Sequence, residues 1–490
     1  MRLAAAGLDF QNLHEIVAKA RQNLNQNDWD YIVGATETET TLRRNRLALD
    51  QLAFRPRVLR DVSRIDATVQ QFGRRLRLPV MFAPVGALES FHAAAAAAVV
   101  RAARAFGVAH MLSSVCEPGL EKVAEAAPDG TFVVTKPEGS GGLVSVPVVA
   151  EQMLYEVGDP ARYILPDVVC DFSDVRLEQV GENRVAVRGA KGLPPTDTYK
   201  VCATYPEGFR AAAQLTIVGF EAVAKCERTA AAILERTRRL FREAGYAEYS
   251  DTLIEVLGAE SGHGPHASAS PIQEAVLRLA VAHADKRALE LFAREVAPAG
   301  TSWSTGTTGV GGRPSPSRVL KQYSFLLAKT RVAVRIVVDG QAMPIAIPAG
   351  HALALRELPA IAKAPVTTDA NSITVPLIAL AWARSGDKGD SCNVGVIARS
   401  PALVEYLRGA LTAERVRDYL AHLVKGKVTR FDVPGIGAFN FLLEEALGGG
   451  GMASLRNDPW GKGMAQILLT MLMCVPAHLV PSSACGNTPR

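Results

Sequence analysis

Apolar positions near the start of the chain recur with a helical period. Within residues 11–49, several of them fall at the i, i+3, i+4 and i+7 spacing that places one apolar stripe on a core: Leu13, Ile16, Val17 and Ala20. Residues 79–129 then alternate apolar runs with helical patterns. This alternation predicts a strand–helix–strand–helix passage of the parallel α/β type.

From residue 131 the apolar positions alternate with period two, which is typical of half-exposed strands in a different kind of sheet. Such strands are predicted at 175–178, 184–188 and 214–217. The pattern beyond them predicts a long amphipathic helix at 220–244, a strand at 253–257, two helices within 272–295, a Gly/Ser/Thr loop at 301–313 and a strand at 331–338.

An Ala- and Pro-rich stretch at 344–372 is predicted to link these elements to a compact last domain. In that domain we expect strands at 375–381 and 393–398, helices within 402–424 and at 438–447, and a buried strand at 467–480. Together they indicate an α+β sandwich of ordinary domain size. The predicted division of the chain is 1–129, 130–343, the linker 344–372, and 373–490.

The composition fits a folded protein with several domains. A single hydrophobic core stops growing near roughly 250 to 300 residues, and this chain has 490. With 48% apolar and 21% charged residues, wholesale disorder is excluded. The net charge of +5 includes no block of like charge that could follow a phosphate backbone, so nucleic acid is not an expected partner.

Cysteine usage and the apolar segments predict a cytoplasmic location. The seven cysteines lie far apart without a C-x-x-C pair, as expected for reduced thiols. The N-terminal residues lack the apolar core of a signal peptide. The most apolar stretch, 467–480, falls short of the roughly 20 residues that span a bilayer, so no membrane partner is expected. The sequence is compatible with a homo-oligomer but does not predict an oligomeric state.

One short segment concentrates charge and glycine directly after an apolar run: Arg384-Ser385-Gly386-Asp387-Lys388-Gly389-Asp390. We expect a loop after a strand, where ligand sites of α/β folds tend to lie. Glycines let backbone N–H groups approach an anion, and the Asp side chains suit Mg²⁺ or proton transfer. The candidate catalytic residues are Arg384, Asp387, Lys388 and Asp390, and the candidate substrate-binding positions are Gly386 and Gly389. The alternative is a tight turn with solvated charges.

Four consecutive glycines, 448–451, lead towards Arg456. They exceed what a helix end requires and suit an amide nest for a phosphate or thioester oxygen. Gly450 and Arg456 are therefore further substrate-binding candidates. A flexible connection is the alternative.

Two further segments carry weaker signals. The segment 260–266 places two histidines beside a carboxylate, which makes Glu260, His263 and His266 candidate metal ligands. Besides these two histidines and the carboxylate, the segment offers no further ligand for a metal ion. The segment 302–313 has the composition of a phosphate-binding loop without the G-x-G-x-x-G order, so a mobile loop is expected there.

Five motifs in the first part of the chain closely resemble the opening of the FMN-dependent α-hydroxy-acid oxidases and dehydrogenases, a TIM-barrel family. They lie in the family's order at 30–35, 41–46, 54–62, 83–86 and 112–114. The resemblance, over about 8–129, implies that Tyr31 faces the substrate, that Pro84, Val85 and Gly86 line the flavin ring, and that Ser113 contacts the flavin.

A working flavin site requires more than this fragment. Eight strand–helix units close a barrel over about 250 residues, and two are visible here. Hydroxy-acid oxidation also needs a base, an arginine and a cation near the flavin, and the family carries them on later strands that this chain lacks. We therefore do not expect bound FMN. An FMN-dependent oxidase and an inactive fusion of two truncated domains are the alternative functions.

Residues from about 130 to 480 are similar to the acyclic terpene utilisation (AtuA) family, through motifs at 135–145, 165–168, 255–260 and 383–390. The resemblance implies a ferredoxin-like C-terminal domain and a role in the breakdown of acyclic terpenoids or branched acyl-CoA compounds. An acyl-CoA-type small molecule is the implied partner, and the reaction is not specified. The expected fold is thus a multi-domain α/β and α+β chain: a partial TIM-barrel-like fragment, a mixed α/β middle domain and a ferredoxin-like domain.

Overall fold

The computed structural model places the chain in two compact units, Met1–Thr131 and Phe132–Arg490. The residues that the structure describes are 12–35, 37–52, 66–71, 74–92, 94–112, 131–136, 139–268, 271–338, 341–344, 346–353 and 371–480. Sheets and helices are mixed throughout, as the sequence predicts.

The first unit begins with three short helices, α1 Leu13–Asn23, α2 Gln26–Val33 and α3 Thr40–Asp50. The helical prediction is confirmed, and the side chains of Asn12 and Asn25 cap the first two helices. The expected burial of the apolar stripe is wrong, because these described helices contain no buried residue and Leu13 is 71% exposed.

The rest of the first unit contains a small strand–helix–strand passage. A hairpin of β1 Val69–Gln71 and β2 Arg74–Leu76 precedes β3 Met81–Phe82, α4 Ala95–Phe106 and β4 Ala109–His110. Strands β3 and β4 pair in parallel, which confirms the predicted α/β type. Gly107 ends α4 with a φ of +86°, the left-handed conformation that glycine adopts readily. The second helix of the predicted strand–helix–strand–helix passage lies outside the described residues.

The second unit starts with two small antiparallel sheets around helix α5 Val146–Met153. One sheet has the strand order β5-β9-β8, from β5 Phe132–Thr135, β8 Arg176–Gly181 and β9 Arg184–Arg188. The other has the order β10-β7-β6, from β6 Tyr163–Ile164, β7 Val169–Asp171 and β10 Lys191–Leu193. The alternating patterns near 175–178 and 184–188 are therefore strands, as predicted.

A larger antiparallel sheet follows, with the order β12-β13-β11-β14 and β15 also paired to β11. Its strands are β11 Thr198–Val218, β12 Asp251–Leu257, β13 Glu274–His283, β14 Thr307–Val310 and β15 Ser317–Ala328. The helices are α6 Ala222–Ala244, α7 Lys286–Glu295 and α8 Ala299–Ser302. Alternate residues of β11 and β13, such as Leu215 and Leu279, form one core with Ile233, Phe241 and Phe292 of the helices.

Two predictions in this region are wrong. Residues 272–295 were expected to form two helices, but they form β13 and one helix, α7. The first half is an almost continuous apolar run, in which strand and helix periods are hard to separate. The expected loop at 301–313 contains β14. The strand expected at 331–338 is shorter, β16 Arg335–Val338, and pairs with β17 Gln341–Pro344.

The last region has a four-stranded antiparallel sheet with the order β19-β20-β22-β21 and a separate pair, β18–β23. Its strands are β18 Ser372–Pro376, β19 Ala381–Lys388, β20 Ser391–Ala398, β21 Val428–Val433, β22 Ala438–Leu443 and β23 Leu472–Pro476. The helices are α9 Pro401–Ala410, α10 Ala413–Tyr419 and α11 Met464–Leu469. A single apolar core joins sheet and helices, which confirms the predicted α+β class.

Three element predictions in this region are corrected. The helix expected at 438–447 is strand β22, whose residues are almost all buried and so show no alternation. The buried strand expected at 467–480 is instead helix α11 followed by β23. A 3₁₀ turn, Leu377–Ala379, interrupts the strand expected at 375–381. Most of the predicted linker lies outside the described residues. No helix in the described parts of the chain is long and apolar enough to cross a membrane.

Limited proteolysis of the full-length chain is expected to separate the two units. Helices α1 to α3 bury no side chain, so their local opening costs little free energy. We expect trypsin to cleave first within Met1–Thr131 and to leave a resistant product that begins near residue 132. Intact mass and N-terminal sequencing identify the product. A first unit that survives as long as residues 132–480 would contradict this expectation.

Candidate functional site

The charged segment 384–390 lies in a β-hairpin. Residues 384–388 belong to β19, which pairs with β20 as far as Lys388 opposite Ser391. The expected loop after a strand is therefore wrong for most of the segment, and the turn consists of Gly389 and Asp390. Gly389 has a φ of +70°, and glycine is the residue that takes this conformation at the first position of a two-residue turn.

Gly386 allows the segment after α5 to lie directly on the hairpin. A Cβ atom at this position would lie 2.6 Å from Cγ of Glu156 and 2.8 Å from Cε2 of Tyr155. Gly395 on the neighbouring strand has the same role, since its Cβ would lie 2.6 Å from Cβ of Leu154. These distances are too short for any side chain, so both glycines are needed for the close approach.

A buried hydrogen-bond network fixes the backbone of Glu156. This residue has a φ of +59°, an uncommon conformation for a residue other than glycine. Its N–H donates to Oδ1 of Asn393 at 2.8 Å, and Nδ2 of Asn393 donates to the carbonyl of Leu154 at 2.6 Å. Nδ2 of Asn393 also donates to Oδ1 of Asn440, and Nδ2 of Asn440 donates to the carbonyl of Gly158 at 2.6 Å. Both asparagines are fully buried.

Glu156 takes part in a cluster of charged groups around Lys462. Nζ of Lys462 donates to Oε1 of Glu156 at 2.7 Å, to Oδ1 of Asp387 at 3.2 Å, and to the hydroxyl of Tyr155. The guanidinium of Arg384 lies 4.2 Å from the centre of the Tyr155 ring, a cation–π contact. The structure therefore brings Arg384 and Asp387 together with three residues that the sequence analysis did not identify: Tyr155, Glu156 and Lys462.

The charges of this cluster shift several pKa values. Burial would raise the pKa of Glu156, but hydrogen bonds from Lys462 and Tyr155 outweigh it and lower that pKa. Burial opposes the ammonium form of Lys462, yet its bonds to Glu156, Tyr155 and Asp387 raise the pKa of its amine. Both groups are therefore held in their charged forms.

Lys388 behaves in the opposite way. Burial lowers the pKa of its amine, and the positive charges of Lys200 and Lys462 act in the same direction. The negative charges of Glu156 and Asp387 oppose the shift without cancelling it. Its side chain still reaches the surface. An amine with a lowered pKa loses its proton at a lower pH than an ordinary lysine, which favours Lys388 as a proton acceptor.

Ser385 and Asp458 position the loop that carries Lys462. The buried hydroxyl of Ser385 donates to the carbonyl of Gly461 at 2.6 Å and accepts from the N–H of Ala465 at 2.9 Å. The carboxylate of Asp458 accepts from the N–H groups of Lys462 and Gly463 at 3.0 and 2.8 Å. The sequence analysis missed Lys462, although a lysine between glycines in the run Trp460-Gly461-Lys462-Gly463 is a signal that could have found it.

Asp390 and Arg456 hold the four-glycine segment in place. Oδ1 of Asp390 accepts from the N–H groups of Leu447 and Gly449, at 3.3 and 2.7 Å. Nη2 of Arg456 donates to the carbonyl of Leu423 at 2.9 Å, and Nη1 donates to that of Ala446. These contacts favour a structural role over the catalytic and substrate-binding roles that the sequence indicated.

Gly450 belongs to the same packed turn. It has a φ of +86°, and a Cβ atom there would lie 2.8 Å from the carbonyl oxygen of Gly389. The segment 448–451 therefore packs closely against the hairpin turn, so its glycines serve a tight contact between two loops. The flexible connection considered from the sequence does not describe this arrangement.

The candidate metal ligands make other contacts. The carboxylate of Glu260 accepts from the N–H of Ser268 at 2.7 Å and from its hydroxyl at 3.1 Å. The ring of His266 stacks on that of Tyr419 with centres 3.8 Å apart. No group of three or more His, Cys, Asp or Glu side chains suited to a metal ion occurs among the described residues, and His263 and His266 are not part of one.

The residues that the family resemblance assigns to the substrate and the flavin are largely exposed. Tyr31 is 67% exposed and stacks on Phe91, with ring centres 6.1 Å apart. Pro84, Val85 and Gly86 follow β3, and Val85 is exposed. Ser113 lies outside the described residues. An isoalloxazine ring needs an enclosed apolar slot, so the described residues of the first unit do not fit FMN.

Replacing Gly386 tests the close approach of the hairpin and the segment after α5. We expect Gly386→Ala to lower the free energy of unfolding by about 1 to 3 kcal/mol, because the new methyl group overpacks against Glu156 and Tyr155. Urea denaturation measures the change. Gly158→Ala is the matched control, since a Cβ there meets no atom within 4 Å. Equal stability of Gly386→Ala and the native chain would refute the close approach.

Acylation of surface amines tests the lowered pKa of Lys388. Because the neutral amine is the reactive form, Lys388 should be labelled faster near neutral pH than Lys286 on α7, whose side chain is 53% exposed. Glu156 favours the ammonium form, so Glu156→Gln should lower the pKa further and speed labelling of Lys388. Mass spectrometry of tryptic peptides gives both rates. Slower labelling in Glu156→Gln would contradict the assigned electrostatics.

Comparison with known families matches three parts of the chain. The model described as "Acyclic terpene utilisation family protein AtuA" matches residues 105–338, and the "AtuA ferredoxin-like domain" matches residues 375–474. The model "FMN-dependent dehydrogenase" matches residues 20–140. The AtuA match begins earlier than the expected residue 130 and overlaps the FMN-dependent dehydrogenase match.

Relatives of the first part are hydroxy-acid oxidases. Glycolate oxidase 1 of Zea mays is 38% identical over 124 residues, which are 25% of this chain and 34% of that protein. L-lactate oxidase of Lysinibacillus sphaericus is 36% identical over 122 residues, 31% of its length. A solved structure of mandelate oxidase is 34% identical, with a TM-score of 0.24, over 24% of this chain and 33% of its own.

The chain thus spans about a third of the length of the curated relatives that it matches. The two AtuA matches, in contrast, follow one another through most of the second unit. The matches confirm the expected join: the chain combines an AtuA family domain and its ferredoxin-like domain with an N-terminal fragment of the FMN-dependent dehydrogenase type.

Proposed function

We propose that the AtuA region is an enzyme of acyclic terpenoid or branched acyl-CoA breakdown, and that it takes a proton from an acyl thioester at the cluster around Lys388 and Lys462. The observation that carries this proposal is the geometry of the cluster. Lys462 bonds the carboxylates of Glu156 and Asp387, and the charges of both carboxylates act on the amine of Lys388. Hydrogen bonds of the buried Asn393 and Ser385 fix the segments that carry Glu156 and Lys462.

The roles of the two lysines follow from their environments. Lys462 is bound to two carboxylates and stays charged, so it supplies a fixed positive charge. Lys388 has a lowered pKa and can accept a proton. In the proposed step the C–H bond next to the thioester carbonyl breaks, Nζ of Lys388 takes the proton, and the electron pair stays on the substrate as an enolate. A nearby cation stabilises such a developing charge.

The substrate class rests on the family. AtuA is described as a family of acyclic terpene utilisation, and the breakdown of such compounds proceeds through branched acyl-CoA thioesters according to the resemblance noted from the sequence. Hydrogens next to a thioester carbonyl are acidic enough for a protein base to remove them. An amine of lowered pKa is a suitable base for this purpose.

The strain at Glu156 also supports a functional role for the cluster. Uncommon backbone conformations cost free energy and persist where the surrounding structure imposes them, often at functional sites. Here two buried asparagines impose the conformation on the residue whose carboxylate binds Lys462. A turn with solvated charges, the alternative from the sequence, would not need such support.

The hydroxy-acid oxidase alternative is supported over a quarter of the chain only. Because the described residues of the first unit do not enclose a flavin, we do not propose that function. The competing hypothesis is that the chain is an inactive fusion. The hydrogen-exchange experiment described next distinguishes it from an active enzyme.

Exchange of substrate hydrogen with solvent deuterium tests the proposal. With isovaleryl-CoA as the probe in D₂O, we expect the native chain to introduce deuterium next to the thioester carbonyl. Lys388→Met should slow the exchange by about 100-fold or more, the usual contribution of a general base. Mass spectrometry of the recovered acyl-CoA measures the rate. Lys286→Met removes a similar charge from the surface of α7 and should leave the rate unchanged.

The pH profile gives a second readout. The rate should rise with pH as Lys388 becomes neutral, and Glu156→Gln should move this rise to lower pH, because the lost carboxylate no longer favours the ammonium form. Exchange at the native rate in a folded Lys388→Met variant would exclude Lys388 as the base. Absence of exchange in the native chain would favour the inactive fusion.

A further inference from the structure

A cavity of about 250 Å³ lies between the large sheet of the second unit and the segment 454–459. Its floor is the face of β11 and β13 opposite helices α6 and α7. Ala212 and Ala280 pair across these strands and line the cavity. Because both side chains are small, the floor stays open where larger residues would fill it.

Two arginines stand at the ends of this floor. Nη1 of Arg210 donates to the carbonyl of Ser454 at 2.6 Å, and Nη1 of Arg278 donates to that of Leu455 at 2.6 Å. The same Nη1 of Arg278 lies 2.5 Å from Oε2 of Glu255. These contacts orient the guanidinium groups towards the cavity wall and use one nitrogen of each. A guanidinium has five N–H donors, so others can serve a ligand.

The charges around the cavity are unevenly balanced. Glu255 neutralises Arg278, and Asp390 and Glu255 act on Arg456, the third arginine of the lining. The charged neighbour that acts on Arg210 is Arg278, another cation, and burial together with this repulsion lowers the pKa of Arg210. Arginine nevertheless stays protonated in proteins. An anion in the cavity would therefore offset an existing repulsion.

The hydrogen-bond donors of the lining suit a tetrahedral anion. Ser315 and Ser317 add hydroxyl groups to the lining, and Ser317 pairs with Arg210 across β15 and β11. Several guanidinium and hydroxyl donors on one lining can bind the several acceptor oxygens of a phosphate. The cavity is also larger than a single ion requires, so it has room for part of an organic molecule.

We propose that this cavity binds the phosphate group of a small phosphate monoester, with Arg210 as its principal contact and Arg278 and the serines as supporting donors. The lining of this cavity does not include Lys388, Lys462 or Glu156, and this proposal does not depend on the thioester reaction. It assigns a ligand to the contact between the large sheet and the ferredoxin-like domain.

Calorimetric titration of the full-length chain tests the proposal, with glycerol 3-phosphate, inorganic phosphate and citrate as probes at one ionic strength. We expect saturable binding of glycerol 3-phosphate, at least as tight as that of inorganic phosphate and tighter than that of citrate. Arg210→Gln should weaken the binding of glycerol 3-phosphate at least tenfold. Arg239→Gln is the matched control, because Arg239 lies on the exposed face of α6 with a 58% exposed side chain.

A second variant separates loss of the ligand from loss of the fold. Ala212→Leu fills the cavity without changing a charge and should weaken binding to a similar degree, whereas Ala224→Leu on the exposed side of α6 should not. If Arg210→Gln fails to fold by circular dichroism, Ala212→Leu decides. The proposal is overturned if the native chain shows no saturable binding of glycerol 3-phosphate, if citrate binds more tightly, or if Ala212→Leu binds as the native chain does.

Discussion

The hydrogen bonds of two buried asparagines hold the candidate site together. Asn393 and Asn440 lie on neighbouring strands of the C-terminal sheet, and both bond to the backbone after α5. Buried amides without partners would destabilise the fold, so this network is retained only where all its members are satisfied. Because the network is satisfied by the turn 154–158, that turn cannot move while the C-terminal sheet is intact, and Glu156 is fixed with it.

Part of the candidate site could be predicted from the sequence. The segment 384–390 stands out by its charge and glycine content, and the structure gives Asp387 and Lys388 places in the charged cluster. Glu156 and Lys462 were not linked to this segment, because they lie far from the hairpin in sequence and share no motif with it. Asp390 and Arg456 show the reverse problem, since charged side chains beside glycines also serve to bind backbone groups.

The fold shows the same division. Amphipathic elements such as α6 and the second half of β11 were predictable, because one face is buried and the other is solvated. Elements buried on nearly all sides, such as β22, give no periodic signal, and the helix expected there was wrong. In the first unit the helices were predictable from their period, but their exposure was not, because burial depends on partner elements that the pattern does not reveal.

The attachment of α5's turn to the C-terminal sheet has a consequence for which part of the chain can act alone. The sheet of residues 381–443 forms one core with the helices and strands of the C-terminal region. The turn 154–158, however, would lose its amide partners without that sheet, and Glu156 would be free to relax to an ordinary backbone conformation. Loss of the C-terminal sheet would therefore remove the fixed conformation of Glu156 together with Asp387 and Lys462, so the candidate site needs both regions.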